Sequence, residues 1–523
     1  MSHPALLTAK LKRRSFLLGT SAMAGSVIIA KTWSDRVLAQ PKFPAYPFSL
    51  GVASGDPWPN SVVLWTRLVP DPLKGISLPP AAIPIQWQVA TDPKMSQVVA
   101  DGTVLATPEL AHSVRVVVDR LEPGRQYWYR FKAGTELSPI GRTKTAPSAN
   151  AALKQLNFAF ASCQHYEFGY YNAYRHMANA DLDMVFHLGD YIYEGAPSQQ
   201  KRVRQHIGPR ATDLDSYRLR YALYKSDPDL QAAHAAFPFI CTWDDHEVEN
   251  DYANDISPKT ADPVSFLQRR QAAYQAYYEH MPLRPASMPQ GNQMQLYRRF
   301  TFGDLAEFSV LDTRQYRDKH PCGDDSKLAG SDCLERIAPE RSMLGKNQED
   351  WLLAGLAQSK TRWTVIAQQY LMAELALDNG TGQAYRKDGW DGYAASRRRI
   401  LEALRQTQAQ NPITLGGDIH SFWVSDLKPD FQDPKSPVVA TEFVGTSISS
   451  QGPTYELLAS FLPKNPHIKY FESRYRGYMQ CSVTPKQWTS RLQVVDTVAQ
   501  PKSTLRTLAT YVVEAGRPGA QQA

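Results

Sequence analysis

Residues Ala161 to Glu194 read ASCQHYEFGYYNAYRHMANADLDMVFHLGDYIYE, and this stretch decides the fold. The apolar run Leu156 to Ser162 leads into it and is predicted as a strand that ends at Cys163. A helix is predicted around Tyr170 to Asn179. A second strand, Met184 to Leu188, stops at Gly189 and Asp190. Strand, helix and strand, with a reactive side chain just past each strand, is the plan of an α/β sheet, whose strand-end loops are exposed yet anchored by a rigid core. Two later segments end the same way. Pro238 to Trp243 leads into Asp244-Asp245-His246-Glu247, and Ile413 to Leu415 leads into Gly416-Gly417-Asp418-Ile419-His420. Thiol, phenol, carboxylates and imidazoles delivered together at strand ends suit a metal site.

Downstream, the alternation of strands and helices continues. A polar helical insertion is predicted over roughly 213–236, and a long amphipathic helix over Pro263 to His280. Met294 to Thr301 and Leu305 to Leu311 read as paired strands. Further helices are predicted over Asn347 to Gln358 and Ala395 to Gln406, and strands over Trp363 to Gln368 and Val438 to Phe443. The tail, Gly477 to Val513, returns to strands, with a helix expected only near Leu505. The whole region reads as two packed sheets with flanking helices.

Upstream, the texture is different. Short alternating runs (Phe48 to Val52, Ser61 to Leu68, Ile85 to Val89, Gln97 to Val104, Ser113 to Val118, Gln126 to Lys132) are separated by turn signals such as Gly55-Asp56-Pro57, Asp92-Pro93 and Glu122-Pro123-Gly124. That spacing predicts a β-sandwich. The stretch Leu121 to Arg130, LEPGRQYWYR, looks like the turn and aromatic strand of fibronectin-III-like modules. The expected organisation is therefore a leader over 1–39, an N-terminal β-sandwich over 40–148 and an α/β domain over 149–523 with a strand-rich tail.

The leader reading rests on Lys12-Arg13-Arg14-Ser15-Phe16-Leu17, a twin arginine before an apolar run, and on Val37-Leu38-Ala39, a small-residue cleavage site. The run is too short and interrupted to span a bilayer. A periplasmic or secreted protein follows, exported folded by the twin-arginine machinery, without a stable membrane anchor and expected to be monomeric. Of the net charge of +7, residues 1–39 carry +5, which leaves +2. That balance excludes the strongly basic surface of a nucleic-acid binder. Among the five cysteines, Cys322 and Cys333 bracket a Gly/Asp/Ser-rich loop and read either as a local disulfide or as two free loop thiols. Cys241 and Cys481 sit in strand-like runs and are expected in the core.

Singly, each motif has a structural explanation: a turn with a buried Tyr, a solvated charge run, a satisfied core His. Together, each after an apolar run, they resemble the metallophosphoesterase superfamily, which carries D-x-H, G-D, G-N-H-E and G-H-x-H at strand ends. Ser162-Cys163-Gln164 stands in place of D-x-H, Asp245 in place of the Asn, and Asp418 in place of the first His of G-H-x-H. Those departures resemble the PhoD-like branch, alkaline phosphatases and phosphodiesterases related to purple acid phosphatases.

That resemblance implies a four-layer αββα sandwich that hydrolyses small phosphomonoesters and phosphodiesters at a dinuclear centre. Iron(III) (Fe3+) would be held by Cys163, Asp190, Tyr193 and His420. Asp190 would bridge to one or two calcium ions (Ca2+), which Asp245 and Asp418 also bind. The donor chemistry agrees: a mixed sulfur, nitrogen and phenolate set suits a transition metal, and an all-oxygen set suits a hard cation. Attack by metal-held hydroxide is expected. His246 would protonate the leaving oxygen or hydrogen-bond a phosphoryl oxygen. Asn250 would contact phosphate or the second metal. Arg314 would clamp phosphate, with a structural salt bridge as the equal alternative. No G-x-S-x-G motif supplies a nucleophilic serine. Two other readings stay open: a metallohydrolase of another ester class on this fold, and a non-catalytic periplasmic binding protein.

Overall fold

The computed structural model describes residues 41–523 except 75–77, 324–325, 379 and 381. The twin-arginine segment lies outside the described residues.

Two large sheets organise the chain. The ten-stranded sheet runs, in spatial order, Arg517–Gln522, Leu505–Glu514, Gln487–Val495, Arg476–Val483, Leu156–Ala161, Met184–His187, Pro238–Cys241, Val52–Trp58, Ser61–Arg67, Ser113–Val118. Its middle is parallel, with Ala161 in register with His187 and His187 with Cys241. The seven-stranded sheet runs Arg298–Phe302, Ala306–Val310, Trp363–Ala367, Ile413–Gly416, Ala440–Val444, Phe422–Leu427, Ile468–Glu472. Its parallel core spans Ala306–Val310 through Ala440–Val444. Parallel strands are buried on both faces and read as continuous apolar runs, which is why the sequence showed them plainly.

Side chains of both sheets meet in one apolar cluster that includes Phe158, Phe186, Phe308, Trp363, Leu415 and Trp488. The outer face of the ten-stranded sheet is covered by the helices Asn172–Ala178, Leu214–Lys225, Pro228–Ala236 and Pro263–His280, through a layer rich in tyrosine. The other outer face is covered by Gly345–Gln358 and Ala394–Gln406. Pro263–His280 begins where local chemistry dictates. The Asp262 carboxylate caps the N–H groups of Val264 and Ser265, and a proline follows at the first helical position.

The N-terminal part is all β, as its turn spacing predicts, but its strands are divided. Val98–Ala106, Ile83–Ala90, Gln126–Ala133, Glu136–Leu137 and Gly141–Lys144 form a five-stranded sheet. Val52–Trp58, Ser61–Arg67 and Ser113–Val118 pack against that sheet and also extend the ten-stranded one, with Ser54 paired in parallel to Pro238. The main sheet thus runs straight across the boundary expected at residue 148. Two local readings are corrected. Gly55-Asp56-Pro57 is not a turn; it lies inside the strand Val52–Trp58, where the register shifts and Asp56 takes a φ of 44°. Leu505 begins the strand Leu505–Glu514 rather than a helix, because its pairing with Gln487–Val495 overrides local propensity.

Lys225 is sealed where the two parts meet, its ammonium 4.2 Å from the Trp65 ring centre and 5.5 Å from that of Tyr191. Burial pulls this lysine down to about 7. The unfolded chain keeps the proton to about pH 10.4, so between pH 7 and 10 the unfolded state binds more protons and stability rises with pH. Lys225→Met should therefore be more stable than wild type at pH 7, with the gap closing towards pH 10. Urea midpoints at three pH values test this, and a gap independent of pH would refute it.

Candidate metal centre

The ends of the parallel strands bring the two sheets' loops together. After Leu156–Ala161, the N–H of Cys163 donates to the Gly189 carbonyl (3.1 Å), and that of Gln164 donates to the Asp190 carbonyl (3.1 Å). Gly189 has a φ of 112°, and a Cβ there would lie 2.5 Å from the Asp244 Cβ, so only glycine lets these loops approach. Cys163, Asp190, Asp418 and His420 all adopt left-handed backbone, with φ of 59°, 55°, 62° and 54°. Such conformations cost about 1–3 kcal/mol each in non-glycine residues and persist where the surrounding structure imposes them.

Glu247 is one such constraint. Its carboxylate accepts the N–H groups of Asp190 (3.1 Å), Tyr191 (2.6 Å) and Asp244 (2.9 Å), which locks two ligand loops to one group. The loop after Ala440–Val444 is another. The Ser450 hydroxyl lies 2.8 Å from the Tyr193 phenol oxygen and 2.8 Å from the Cys163 carbonyl. Arg476 fixes this loop by donating to the carbonyls of His420 (2.9 Å) and Ser450 (2.8 Å).

The residues expected as metal ligands converge. The Tyr193 hydroxyl donates to Asp190 Oδ2 (2.7 Å) and lies 3.1 Å from His420 Nε2. Donor atoms of Cys163, Asp190 and His420 lie within 4.8 Å of one another, and the same holds for Asp190, Asp245 and His246, and for Asp244, Asp245 and Asp418. A further group, Asp245, Asp251 and Asp388, extends the row. Asp190 and Asp245 are shared between groups, the arrangement expected of bridging carboxylates.

The electrostatics fit cations. Burial, followed by the charge of Asp190, pushes the Cys163 thiol well above its ordinary value. Burial likewise raises Asp190 and Asp244 well above the carboxylate range, and burial with the nearby Asp245 lifts Asp418 to about 8. Tyr193 is raised by burial, Asp190 and Cys163. Burial pushes His420 down to about 3, leaving a neutral imidazole. Asp190 Oδ1 and Asp244 Oδ2 are buried with no hydrogen-bond partner. Acids this crowded resist ionising together unless positive charge joins them, so the donor set fits metal ions.

His246 sits at the rim, its side chain 18% exposed, with Nδ1 2.7 Å from Glu194 Oε2. Burial would discharge this imidazole, but Asp190, Asp245 and Glu194 outweigh it and raise His246 well above its ordinary value. Glu194 is also paired with Arg210 (3.2 Å) and accepts the N–H of Asn250 (3.3 Å). The Tyr193 ring is held between two imidazoles, its centroid 4.3 Å from that of His165 and 4.2 Å from that of His246.

Arg314 lies wholly buried. It donates to Asp244 Oδ1 (2.6 Å) and to both oxygens of Asp388 (2.9 Å each), and it lies 3.3 Å from Asp245 Oδ2. That is the salt-bridge alternative, with the guanidinium aligning carboxylates instead of facing a substrate. Sequence reasoning passed over Asp244, Glu194, Glu247, Asp388 and Ser450 as working parts. The first three sit inside quoted motifs. Asp388 and Ser450 follow short strands without a motif. Cys322 and Cys333 form a disulfide with Cα atoms 6.0 Å apart, and Cys163, Cys241 and Cys481 are buried free thiols.

Strand-end carboxylates, a thiol and a carboxylate-backed imidazole on this α/β frame are the parts that a metal-dependent hydrolase needs. Comparison with known proteins makes the class specific: the chain belongs to the PhoD-like phosphatase family, which matches residues 158–492, with the family's N-terminal domain matching residues 33–147. It is 48% identical over 518 residues to alkaline phosphatase D of Bacillus subtilis (strain 168), covering 97% of this chain and 88% of that protein. A solved structure described as that of PhoD superposes with a TM-score of 0.89 at 48% identity, covering 92% of this chain and 93% of that one.

Proposed function

We propose that the protein is an exported, metal-dependent hydrolase of phosphomonoesters and phosphodiesters with an iron(III)/calcium-type centre. The observation that carries this is the row of donor groups sharing Asp190 and Asp245. Cys163, Asp190, Tyr193 and His420 would hold iron(III). Asp190, Asp245 and Asp418, joined by Asp244, would hold calcium; a second calcium would share Asp251 with Lys327 and Asp388 with Arg314 and Arg317. The chemistry such ions supply when bound is acidification of water and neutralisation of phosphoryl charge.

The chain's own groups do the rest. Glu194 holds Nδ1 of His246, so the other ring nitrogen is left to face a phosphoester. Asp190, Asp245 and Glu194 favour the charged form of His246, and Glu194, which stands outside the proposed ligand set, would still do so beside bound cations, so the imidazolium can donate a proton to the departing alcohol oxygen. Asn250, on the loop whose N–H groups are tied to Asp245 and Glu194, would contact phosphate or the second cation. Arg314 would act on phosphate only through the carboxylates that it aligns. Export by the twin-arginine route is supported by Arg13-Arg14, and no helix among the described residues is long and apolar enough to cross a membrane.

A calcium-selective chelator should silence hydrolysis of p-nitrophenyl phosphate and bis(p-nitrophenyl) phosphate, and added calcium should restore it. Iron(III) on Tyr193 would give a visible charge-transfer band, and that band should persist in altered form throughout, since thiolate and phenolate hold a transition ion more tightly than carboxylates hold calcium. Full activity in calcium-free protein would overturn the calcium assignment. A colourless zinc protein would overturn iron. Turnover of p-nitrophenyl acetate alone would favour another ester class, and no turnover of any ester would favour a binding protein.

A further inference from the structure

Beside the metal ligands lies a cavity of about 240 Å³, walled by Asp418, Asp251, Tyr370, Trp390, Lys327 and Arg386. Its wall mixes apolar and aromatic side chains with charges of both signs: Asp251, Asp388, Asp391 and Asp418 lie on it together with Lys327, Arg386 and Lys387. Arg386 ends the strand Gln383–Arg386, which pairs antiparallel with Leu328–Gly330, placing Arg386 opposite Leu328. The Lys387 N–H donates to the Lys327 carbonyl (3.1 Å), so Lys327 and Arg386 project from one small hairpin-like sheet. That sheet is fastened down. The Lys387 ammonium donates to the carbonyls of Cys322 (3.1 Å) and Gly323 (2.7 Å), and the Cys322–Cys333 disulfide closes the adjoining loop.

Of these cations, Arg386 is not consumed by the fold. Arg386 is exposed and, among the described residues, makes no hydrogen bond or ion pair. The Lys327 side chain is 82% exposed and meets one partner, Asp251, at 3.0 Å. Arg314 and Arg317, by contrast, are fully buried against Asp388. A guanidinium with no hydrogen-bond or ion-pair partner among the described residues, in the wall of the same cavity as Asp418, is placed to meet an anion that the substrate brings.

We propose that Arg386, with Lys327, recognises a second anionic group on the substrate's alcohol portion, so that the enzyme prefers phosphoesters of alcohols bearing a carboxylate, a phosphate or a further phosphodiester. The proposal rests on the phosphoester reading above: the attacked phosphoryl group sits at the metal ligands and the alcohol extends into the cavity. Leu371 and Ile419, which keep some accessible surface, receive its carbon skeleton, and Arg386 and Lys327 meet its charge.

The test compares phenyl phosphate with 4-carboxyphenyl phosphate in the holoenzyme. Taking the ratio of kcat/KM for the two esters in each protein, and comparing that ratio between proteins, removes their intrinsic reactivity. Arg386→Gln should lower the ratio about tenfold, the loss expected for one charge-assisted hydrogen bond. Lys327→Gln should lower it only about two- to fivefold, as for an exposed pair. Arg386→Lys should recover part of the ratio, because charge returns without the planar fork. Iron and calcium content should not change in any of them. Calorimetric titration with phenylphosphonate and 4-carboxyphenylphosphonate reads the same discrimination without turnover. If the phosphonate difference appears but neither ester is hydrolysed, the hydrolase reading fails and this assignment stands. An equal loss for both ligands would mean that Arg386 serves the attacked phosphoryl group, and no loss would mean that it serves neither; each overturns the proposal.

Discussion

Asp190→Asn should lower kcat/KM for bis(p-nitrophenyl) phosphate by about 10³-fold or more. Asp190 is common to two donor groups, and its Oδ1 is buried without a protein partner. An amide has one weaker acceptor where the carboxylate has two charged oxygens, so both cation sites lose charge at once. Losing several kcal/mol of metal-assisted stabilisation, at 1.36 kcal/mol per tenfold, gives that scale. Stability should move the other way in the metal-free protein. Burial raises the Asp190 carboxyl well above its ordinary value, so above about pH 4 the unfolded chain ionises it more readily and the folded state is penalised. Metal-free Asp190→Asn should therefore unfold at higher urea than metal-free wild type at pH 8. Activity within tenfold of wild type, with both metals retained, would rule out a bridging role.

His246→Ala should lower kcat by about 10²–10⁴, the usual range for a proton-transferring group, with iron and calcium content near wild type. The imidazole is anchored to Glu194 and reaches the rim, where a leaving alcohol would depart. Glu194→Gln should be milder and should change shape rather than height. Glu194 is one of the charges raising His246, so neutralising it lowers that pKa. The alkaline fall in kcat should then begin at lower pH. The direction holds however strongly neighbouring cations pull on the same imidazole. His246 also lies within reach of Asp190 and Asp245 as a donor. Metal lost from His246→Ala would make it a ligand instead of an acid.

Much of this site could be read without coordinates because each ligand follows an abrupt end to an apolar run. A parallel strand buried on both faces must be apolar throughout, and Gly-Asp or Asp-Asp can begin only where it leaves the core. Pro263–His280 was equally legible, since its cap and its first-turn proline are local signals. What failed depends on distant partners. Gly55-Asp56-Pro57 carries every mark of a turn, yet Arg298 binds Asp56 Oδ1 at 2.8 and 3.0 Å and holds the segment in a sheet. Arg314 and Arg386 look alike as letters. One is consumed by carboxylates contributed by two remote loops, while the other has no such partner among the described residues, and no local pattern distinguishes them.

The strand Val52–Trp58 is made early in synthesis, but its parallel neighbour, Pro238–Cys241, comes almost two hundred residues later, and the far edge of the same sheet is Arg517–Gln522. The early segment is also pinned from outside by later ones: Trp65 Nε1 donates to the Glu279 carbonyl (2.9 Å), and Arg115 Nε to that of Tyr278 (2.9 Å). A growing chain cannot complete its first hundred residues and move on, because their inner edge waits for partners not yet translated. Loop closure over such spans is entropically costly, so assembly comes late and as one event. The same wiring ties the two parts together: losing the N-terminal segment would strip three strands from one edge of the sheet that carries Cys163 and Asp190 and leave Pro238–Cys241 unpaired on that side.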